Sequence, residues 1–284
     1  MTTAAAVPPR TAAPRTRPRF TDLLAAEWIK LRSLRSTYWA LGASAFAIVA
    51  FNANAARTDG YPVHTAADRA GHAQIALREA FNPGAAMIMV LAVASVGAIT
   101  VVGEYGTGLI RTTFAAVPAR RSVMTAKIAV VTAVMTVYGA VVAAASFAAT
   151  QAILSGRGAD VPLSHPGALR VVVASALLAP VGALVGMGLG ALIRHSATTM
   201  VLISGVLLLL PSFITDRYRW TAAIRNALPF NAWSRLVDMA YGHNTHMLFP
   251  RHYPHTLTGS WIVYGAWALV SAVVAVVVVD RRDL

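Results

Sequence analysis

The sequence predicts an all-α, polytopic membrane protein with six transmembrane helices and an N-terminal interfacial amphipathic helix. Six runs of the chain approach the length of about 20 apolar residues that a helix needs to cross a hydrocarbon core of about 30 Å. The 24 Lys and Arg and the 11 Asp and Glu lie between these runs or at their edges. The chain is 57% hydrophobic and 12% charged, whereas about a quarter of the residues of a soluble domain are charged.

The six predicted spans use most of the 284 residues, so we expect a single membrane domain over residues 21–284 and no separate soluble domain. Ion-coupled carriers place Asp, Glu or His at membrane depth, and none of these residues lies inside a span, which disfavours that class of protein. The spans are about Tyr38–Ala56, Gly84–Gly103, Ile128–Thr150, Val171–Ile193, Ala197–Thr215 and Ser260–Val279.

The N-terminal region divides into two parts. Residues 1–20 are rich in Pro, Ala, Thr and Arg and have no apolar run, so we predict a disordered basic cytoplasmic tail rather than a secretory signal. Helical spacing of Leu24, Trp28 and Leu31 then predicts an amphipathic helix over Thr21–Thr37.

This helix carries basic residues towards its end, where they favour the helix dipole. A basic amphipathic helix directly before a span is typical of the cytoplasmic membrane interface. The alternative is that the helix simply continues the first span into water. The residues predicted to hold it in the interface are Trp28, Lys30, Arg32 and Arg35.

The distribution of Lys and Arg predicts the orientation. With the N-terminus inside, the cytoplasmic segments hold more Lys and Arg than the outer ones, although the long outer segment before the last span weakens the difference. We therefore predict a multi-pass protein of the plasma (inner) membrane with both termini cytoplasmic. The net charge of +13 is attributed to loops that face anionic lipid headgroups, and no nucleic-acid partner is expected.

The segment between the second and third spans reads EYGTGLIRTTFAAVPARR from Glu104 to Arg121. It combines a glycine-rich exit, an amphipathic stretch over Leu109–Val117 and a basic corner after a proline. A short hairpin of this kind can lie across the surface of a partner and transmit the partner's movement to the two attached spans.

This hairpin, together with the upstream segment AEWIKLRSLRSTYW, resembles the permease subunits of bacterial type-2 ABC exporters, and the likeness covers the whole chain in layout. In that family the hairpin forms the coupling helix that contacts the ATPase. The alternative is that its basic residues only set the topology. The resemblance implies a coupling role for Glu104, Gly106, Thr107, Arg111, Thr112, Pro118, Arg120 and Arg121.

The resemblance also implies a function. The chain would be the membrane-spanning permease that forms a translocation pathway as a dimer with a second copy or a paralogue, surrounded by membrane lipid. A separate soluble ABC ATPase on the cytoplasmic face would bind ATP and Mg, and this chain would bind no cofactor. The chain has only two lysines, Lys30 and Lys127, and neither follows the glycine that a P-loop places before its lysine, so we do not expect it to be an enzyme.

Two other functions stay open at this point. A non-transporting scaffold or regulatory subunit would bind a partner without stimulating its ATPase. An intramembrane enzyme is disfavoured because the chain lacks an H-E-x-x-H pair and no His lies within a span to act as a base.

Two further patterns remain. Gly182, Gly186 and Gly190 share one helical face and predict close helix packing, either static or moving during transport. In the outer segment, the resemblance implies short re-entrant helices, for which 228–237 is suited. Two H-x-x-H pairs in that segment raise a metal hypothesis, although loop histidines are more often ordinary polar residues; they are His243, His246, His252 and His255.

Overall fold

The computed structural model describes residues 18–58, 73, 75–214, 218–237 and 256–281, and every regular element within them is helical. Residues 75–80 form a helical segment ahead of α3, and a π-helical stretch, Gly205–Leu209, joins α7 to α8. The helices are α1 Phe20–Ser33, α2 Arg35–Thr58, α3 Pro83–Gly106, α4 Leu109–Ala116, α5 Arg120–Ser155, α6 Ala168–Ile193, α7 Ser196–Ser204, α8 Leu210–Phe213, α9 Arg219–Asn226, α10 Pro229–Val237 and α11 Leu257–Arg281.

Five helices are long and apolar enough to cross a membrane: α2, α3 with the residues that precede it, α5, α6 and α11. The predicted all-α fold is therefore confirmed, and five of the six predicted spans coincide with helices that are long and apolar enough to cross a membrane.

The remaining predicted span, Ala197–Thr215, is not one continuous α-helix. It consists of α7, the π-helical stretch and α8. Pro211 lies in the first turn of α8 and has no backbone N–H to donate to the preceding turn. The turn before it is π-helical, a form that occurs mostly as a short interruption within α-helices. Hydropathy alone does not detect this interruption, because the whole stretch is apolar.

The core of the bundle is centred on α6, which packs against α3, α5 and α11. Helices α3 and α6 are buried over 67% of their apolar stretch, whereas the corresponding share for α11 is 22%. Helices α2, α5 and α11 therefore keep outward apolar faces, on which Phe46, Val137 and Leu269 are exposed. Exposed apolar side chains on long helices are what a lipid environment requires.

Small residues allow α3 and α6 to approach closely. A Cβ atom on Gly186 of α6 would lie 1.9 Å from the carbonyl oxygen of Ala94, and one on Gly97 of α3 would lie 2.1 Å from that of Ala183. Gly182 and Gly190 face α3 as well, with more room. The three glycines singled out in the sequence thus all lie against one helix, as in other small-residue contacts of membrane bundles.

Polar side chains contact one another at each of the two ends of the helix bundle. At one end, which we call the charged end, Arg121 of α5 pairs with Asp280 of α11, and the guanidinium of Arg194 after α6 lies 4.6 Å from the ring centroid of Tyr105 in α3. At the opposite end, the indole N–H of Trp233 in α10 donates to Ser175 Oγ of α6 at 3.1 Å. The fold therefore places α1 and α4 at the charged end, and α10 at the other.

Candidate functional site

Four charged side chains from three helices meet at the charged end, and we call them the charge cluster: Glu27 and Lys30 of α1, Glu104 of α3 and Lys127 of α5. Lys30 Nζ lies 2.7 Å from Glu27 Oε1 and 3.0 Å from Glu104 Oε1. Lys127 Nζ lies 2.5 Å from Glu27 Oε2 and 2.9 Å from Glu104 Oε1. Each ammonium group therefore bridges both carboxylates.

Apolar packing places the residues of the charge cluster. Glu27 lies on the same face of α1 as Leu23 and Leu31, four residues away on either side, and all three are buried. Leu23 packs against Ala126 of α5 in a small apolar cluster, and Lys127 is the next residue of α5. The contact between α1 and α5 thus brings Glu27 and Lys127 together.

Because the charge cluster is largely buried, each of its four charges depends on the others for compensation. The side chains of Glu27, Lys127 and Glu104 are only 5%, 7% and 11% exposed, and a buried charge is costly unless it is paired. Burial alone would lower the pKa of Lys30, but its hydrogen bond to Glu27 and the negative charge of Glu104 outweigh burial and hold that pKa above its ordinary value. Two positive and two negative charges balance, so removal of any one leaves a buried charge without compensation.

The hairpin between α3 and α5 begins with a tight turn. The backbone N–H and the hydroxyl of Thr107 both donate to the carbonyl oxygen of Gly103, at 3.1 Å and 2.8 Å. Gly108 follows with φ of 71°, a left-handed conformation that glycine adopts without strain. Gly106 ends α3, and the turn directs the chain into α4.

Helix α4 has a buried and an exposed side. Ile110 is buried, and Phe114 packs against the small apolar cluster formed by α1 and α5. Arg111 and Thr112 are exposed on the outside, and so is Pro118 beyond the helix. We call Arg111, Thr112 and Pro118 the outer face of the hairpin, since a partner can reach them without any change in the fold.

The two arginines after Pro118, Arg120 and Arg121, contact other parts of the helix bundle. The guanidinium of Arg120 lies 5.5 Å from the ring centroid of Phe114. Arg121 donates to Asp280 Oδ2 of α11 from Nε at 2.8 Å, and its Nη2 lies 2.7 Å from the same oxygen. The predicted coupling residues therefore differ in their surroundings. Glu104 is buried in the charge cluster, Gly106 and Thr107 lie at the turn, the outer face is exposed, and Arg120 and Arg121 contact Phe114 and Asp280.

The residues predicted to hold α1 in the interface lie on different sides of it. Trp28 is 47% exposed, and Arg32 and Arg35 are exposed. Lys30 instead turns inward to the charge cluster. Leu34 has an extended backbone between α1 and α2, so α1 is not a simple continuation of α2. The buried stripe also differs from the predicted Leu24, Trp28 and Leu31, since it consists of Leu23, Glu27 and Leu31.

The four histidines of the metal hypothesis, His243, His246, His252 and His255, lie outside the described residues. Within the described residues, no group of three or more His, Cys, Asp or Glu side chains is arranged to hold a metal ion.

No protein-family model matches this chain, and no curated protein matches it. Its function has to be inferred from the geometry of the charged end. That geometry joins an exposed outer face to buried charges that link α1, α3 and α5, an arrangement suited to transmitting movement.

Proposed function

We propose that this chain is the membrane-spanning permease subunit of an ATP-driven exporter, and that a separate soluble ATPase drives it through the α3–α4–α5 hairpin. The observation that carries the proposal is the connection between the outer face of the hairpin and the charge cluster. Glu104 lies only a few residues before α4 and is bound to Lys30 and Lys127. A push on the outer face would therefore move α1, α3 and α5 together.

The proposed movement needs two states of the ATPase that contact the hairpin differently, because a partner shifts an equilibrium only by its difference in affinity for the two states. Closure of an ATPase dimer on ATP binding would press on Arg111 and its exposed neighbours. A second permease copy would supply the other wall of the pathway, and the outward apolar faces of α2, α5 and α11 are available for that contact or for lipid. ATP and Mg would be bound by the ATPase.

We also propose that the chain crosses the membrane six times, with both termini cytoplasmic. The C-terminus of α6 lies at the charged end, next to α3. Helix α11 ends at the charged end, where Asp280 pairs with Arg121. Its first half lies towards the opposite end, where the hydroxyl of Tyr264 donates to the carbonyl oxygen of Ala174 near the start of α6. The chain must pass between the two ends after α6, and the interrupted helix Ser196–Phe213 is the segment that supports this passage.

The topology can be tested directly because the chain has no cysteine. Ala115 on α4 and Leu163 in the connection between α5 and α6 are both exposed. In intact cells, we expect a membrane-impermeant maleimide to label Leu163→Cys and to leave Ala115→Cys unlabelled until the cells are permeabilised. Labelling of both or of the opposite residue would contradict the proposed orientation.

The coupling role can be tested on Arg111, which is exposed and outside the charge cluster. Reversal of its charge with Arg111→Glu would place a repulsive charge at the interface if the ATPase presents an acidic surface there. We expect the affinity of the ATPase for the chain in lipid to fall about tenfold or more, since juxtaposed like charges cost several kcal/mol. The measurement is ATPase binding and stimulated hydrolysis in lipid.

The matched control is Arg281→Glu, which reverses an exposed charge at the same end of the molecule but outside the hairpin. It is expected to bind and stimulate the ATPase like the unmodified chain. Hydrolysis that is unaffected by Arg111→Glu would contradict coupling through the hairpin. Binding of a partner without any stimulated hydrolysis would favour a scaffold or regulatory subunit instead.

A further inference from the structure

A cavity of about 250 Å³ lies beside the charge cluster, between α1, α3 and α5. Its walls are mainly apolar, and all four residues of the charge cluster line it. The apolar wall residues come from all three helices and include Leu31, Leu34, Ile99, Val130 and Val131. A cavity with apolar walls and a few convergent polar groups is the usual form of a ligand site.

The charge cluster has hydrogen-bonding capacity that the described residues do not use. A lysine ammonium has three N–H donors, and Lys30 and Lys127 each use two of them on the two glutamates. Both lysines contact Oε1 of Glu104, and its Oε2 has no partner among the described residues. The charge cluster that lines the cavity therefore has N–H donors and a carboxylate oxygen available to a ligand.

The position of the cavity relative to the membrane identifies the kind of ligand. Helix α3 and the residues before it run over Ile75–Gly106, 32 residues or about 48 Å, which is longer than the hydrocarbon core of about 30 Å. Because Glu104 is near the end of this helix, we place it at the level of the headgroups. Helix α5 has 36 residues and is about 54 Å long. It therefore projects beyond the core, and the cavity beside Lys127 lies where acyl chains meet headgroups.

We propose that this cavity binds one zwitterionic phospholipid with a primary ammonium headgroup, of the phosphatidylethanolamine type. Part of one acyl chain would lie between the apolar walls, and the rest would continue past the exposed Ile99 into the bilayer. The phosphate would accept an N–H from Lys30, and the ammonium would donate to Glu104 Oε2. The charge cluster is neutral overall, so it offers no excess positive charge for an anionic lipid. A choline headgroup has no N–H to donate to Glu104. This inference does not depend on the proposed transport function.

The test is native mass spectrometry of the full chain purified in detergent and mixed with equal amounts of phosphatidylethanolamine, phosphatidylcholine and phosphatidylglycerol. We expect one phosphatidylethanolamine per chain to be retained in preference to the other two lipids. Ile99 lines the cavity and is 42% exposed, so Ile99→Trp would fill the acyl-chain site from its open side. It is expected to reduce the bound phosphatidylethanolamine about tenfold, since the indole removes most of the apolar contact.

The matched control is Ile262→Trp on α11, which is 64% exposed and does not line the cavity. It should retain the lipid like the unmodified chain. A second variant, Glu104→Gln, removes the carboxylate charge and should abolish the preference for phosphatidylethanolamine over phosphatidylcholine. If that variant fails to fold, the comparison of Ile99→Trp with Ile262→Trp still decides the matter. Equal retention by these two variants, or retention of phosphatidylglycerol at the level of phosphatidylethanolamine, would overturn the proposal.

Discussion

Replacement of Lys127 by Met is expected to destabilise the protein by about 3–5 kcal/mol, the usual cost of removing one partner from a buried ion pair. Lys127 bridges Glu27 and Glu104, and without it two nearly buried carboxylates would share the single ammonium of Lys30. For a chain of this size, the unfolding midpoint should fall by about 5–8 °C. Thermal unfolding in detergent, followed by tryptophan fluorescence, measures this change.

A double variant separates the uncompensated charge from simple loss of a contact. Glu27→Met together with Lys127→Met removes one charge of each sign and leaves Lys30 paired with Glu104. Because replacement of both partners by apolar residues is often nearly neutral, the double variant should recover much of the lost stability. A double variant as unstable as Lys127→Met alone would show that the cluster does not stabilise through charge balance.

The exposed pair of Arg121 and Asp280 provides the control for position. The Arg121 side chain is 74% exposed, and water screens a pair of this kind. Arg121→Met should therefore leave the unfolding midpoint nearly unchanged, although it removes a basic residue from the same hairpin. A fall comparable with that of Lys127→Met would mean that the surface tether, rather than the buried cluster, holds the charged end together.

Much of the fold follows from local features of the sequence. Six apolar runs free of Asp, Glu, Lys and Arg predict six long helices, because a chain in lipid must satisfy its backbone hydrogen bonds within each segment. Five of these runs are long helices in the structure. The π-helical interruption before Pro211 was not predicted. The apolar composition is the same on both sides of that point, and a proline in a membrane helix can also be accommodated by a simple kink.

The candidate site was predicted only in part. The EYGTGLIR segment indicates a turn and an amphipathic helix, and its two glycines and its one threonine form that turn. Glu27 was missed, and Lys127 was not assigned to the site. Lys30 is 74 residues from Glu104, and Glu27 is 100 residues from Lys127, so their pairing depends on how α1 docks against α3 and α5. One local signal was present: Glu27 lies four residues from Leu23 and from Leu31, which places it on an apolar face.

The closest approach of α3 and α6 gives the second large effect. Gly186→Ala adds one methyl group at a point 1.9 Å from the carbonyl oxygen of Ala94, far inside van der Waals contact. The neighbour is backbone, so it cannot move aside as a side chain would. We expect a loss of at least about 1–3 kcal/mol, the usual range for overpacking, and a lower unfolding midpoint in detergent.

The expected cost of an alanine substitution differs among the glycines. At Gly182 the nearest atom to an added Cβ is Val93 Cγ2 at 2.9 Å, and at Gly190 it is Val102 Cγ2 at 3.1 Å. The nearest backbone atom is the carbonyl oxygen of Val90 at 3.8 Å from the added Cβ of Gly182, and that of Ala98 at 3.2 Å from the added Cβ of Gly190. Since both distances are much longer than the 1.9 Å at Gly186, alanine at these positions should cost less than at Gly186. Gly265 on α11 has nothing within 4 Å of an added Cβ, so Gly265→Ala should be neutral or stabilising by up to about 1 kcal/mol. Equal effects at Gly186 and Gly265 would mean that α3 and α6 do not pack through their backbones, and that the spacing of the glycines has no role in the contact.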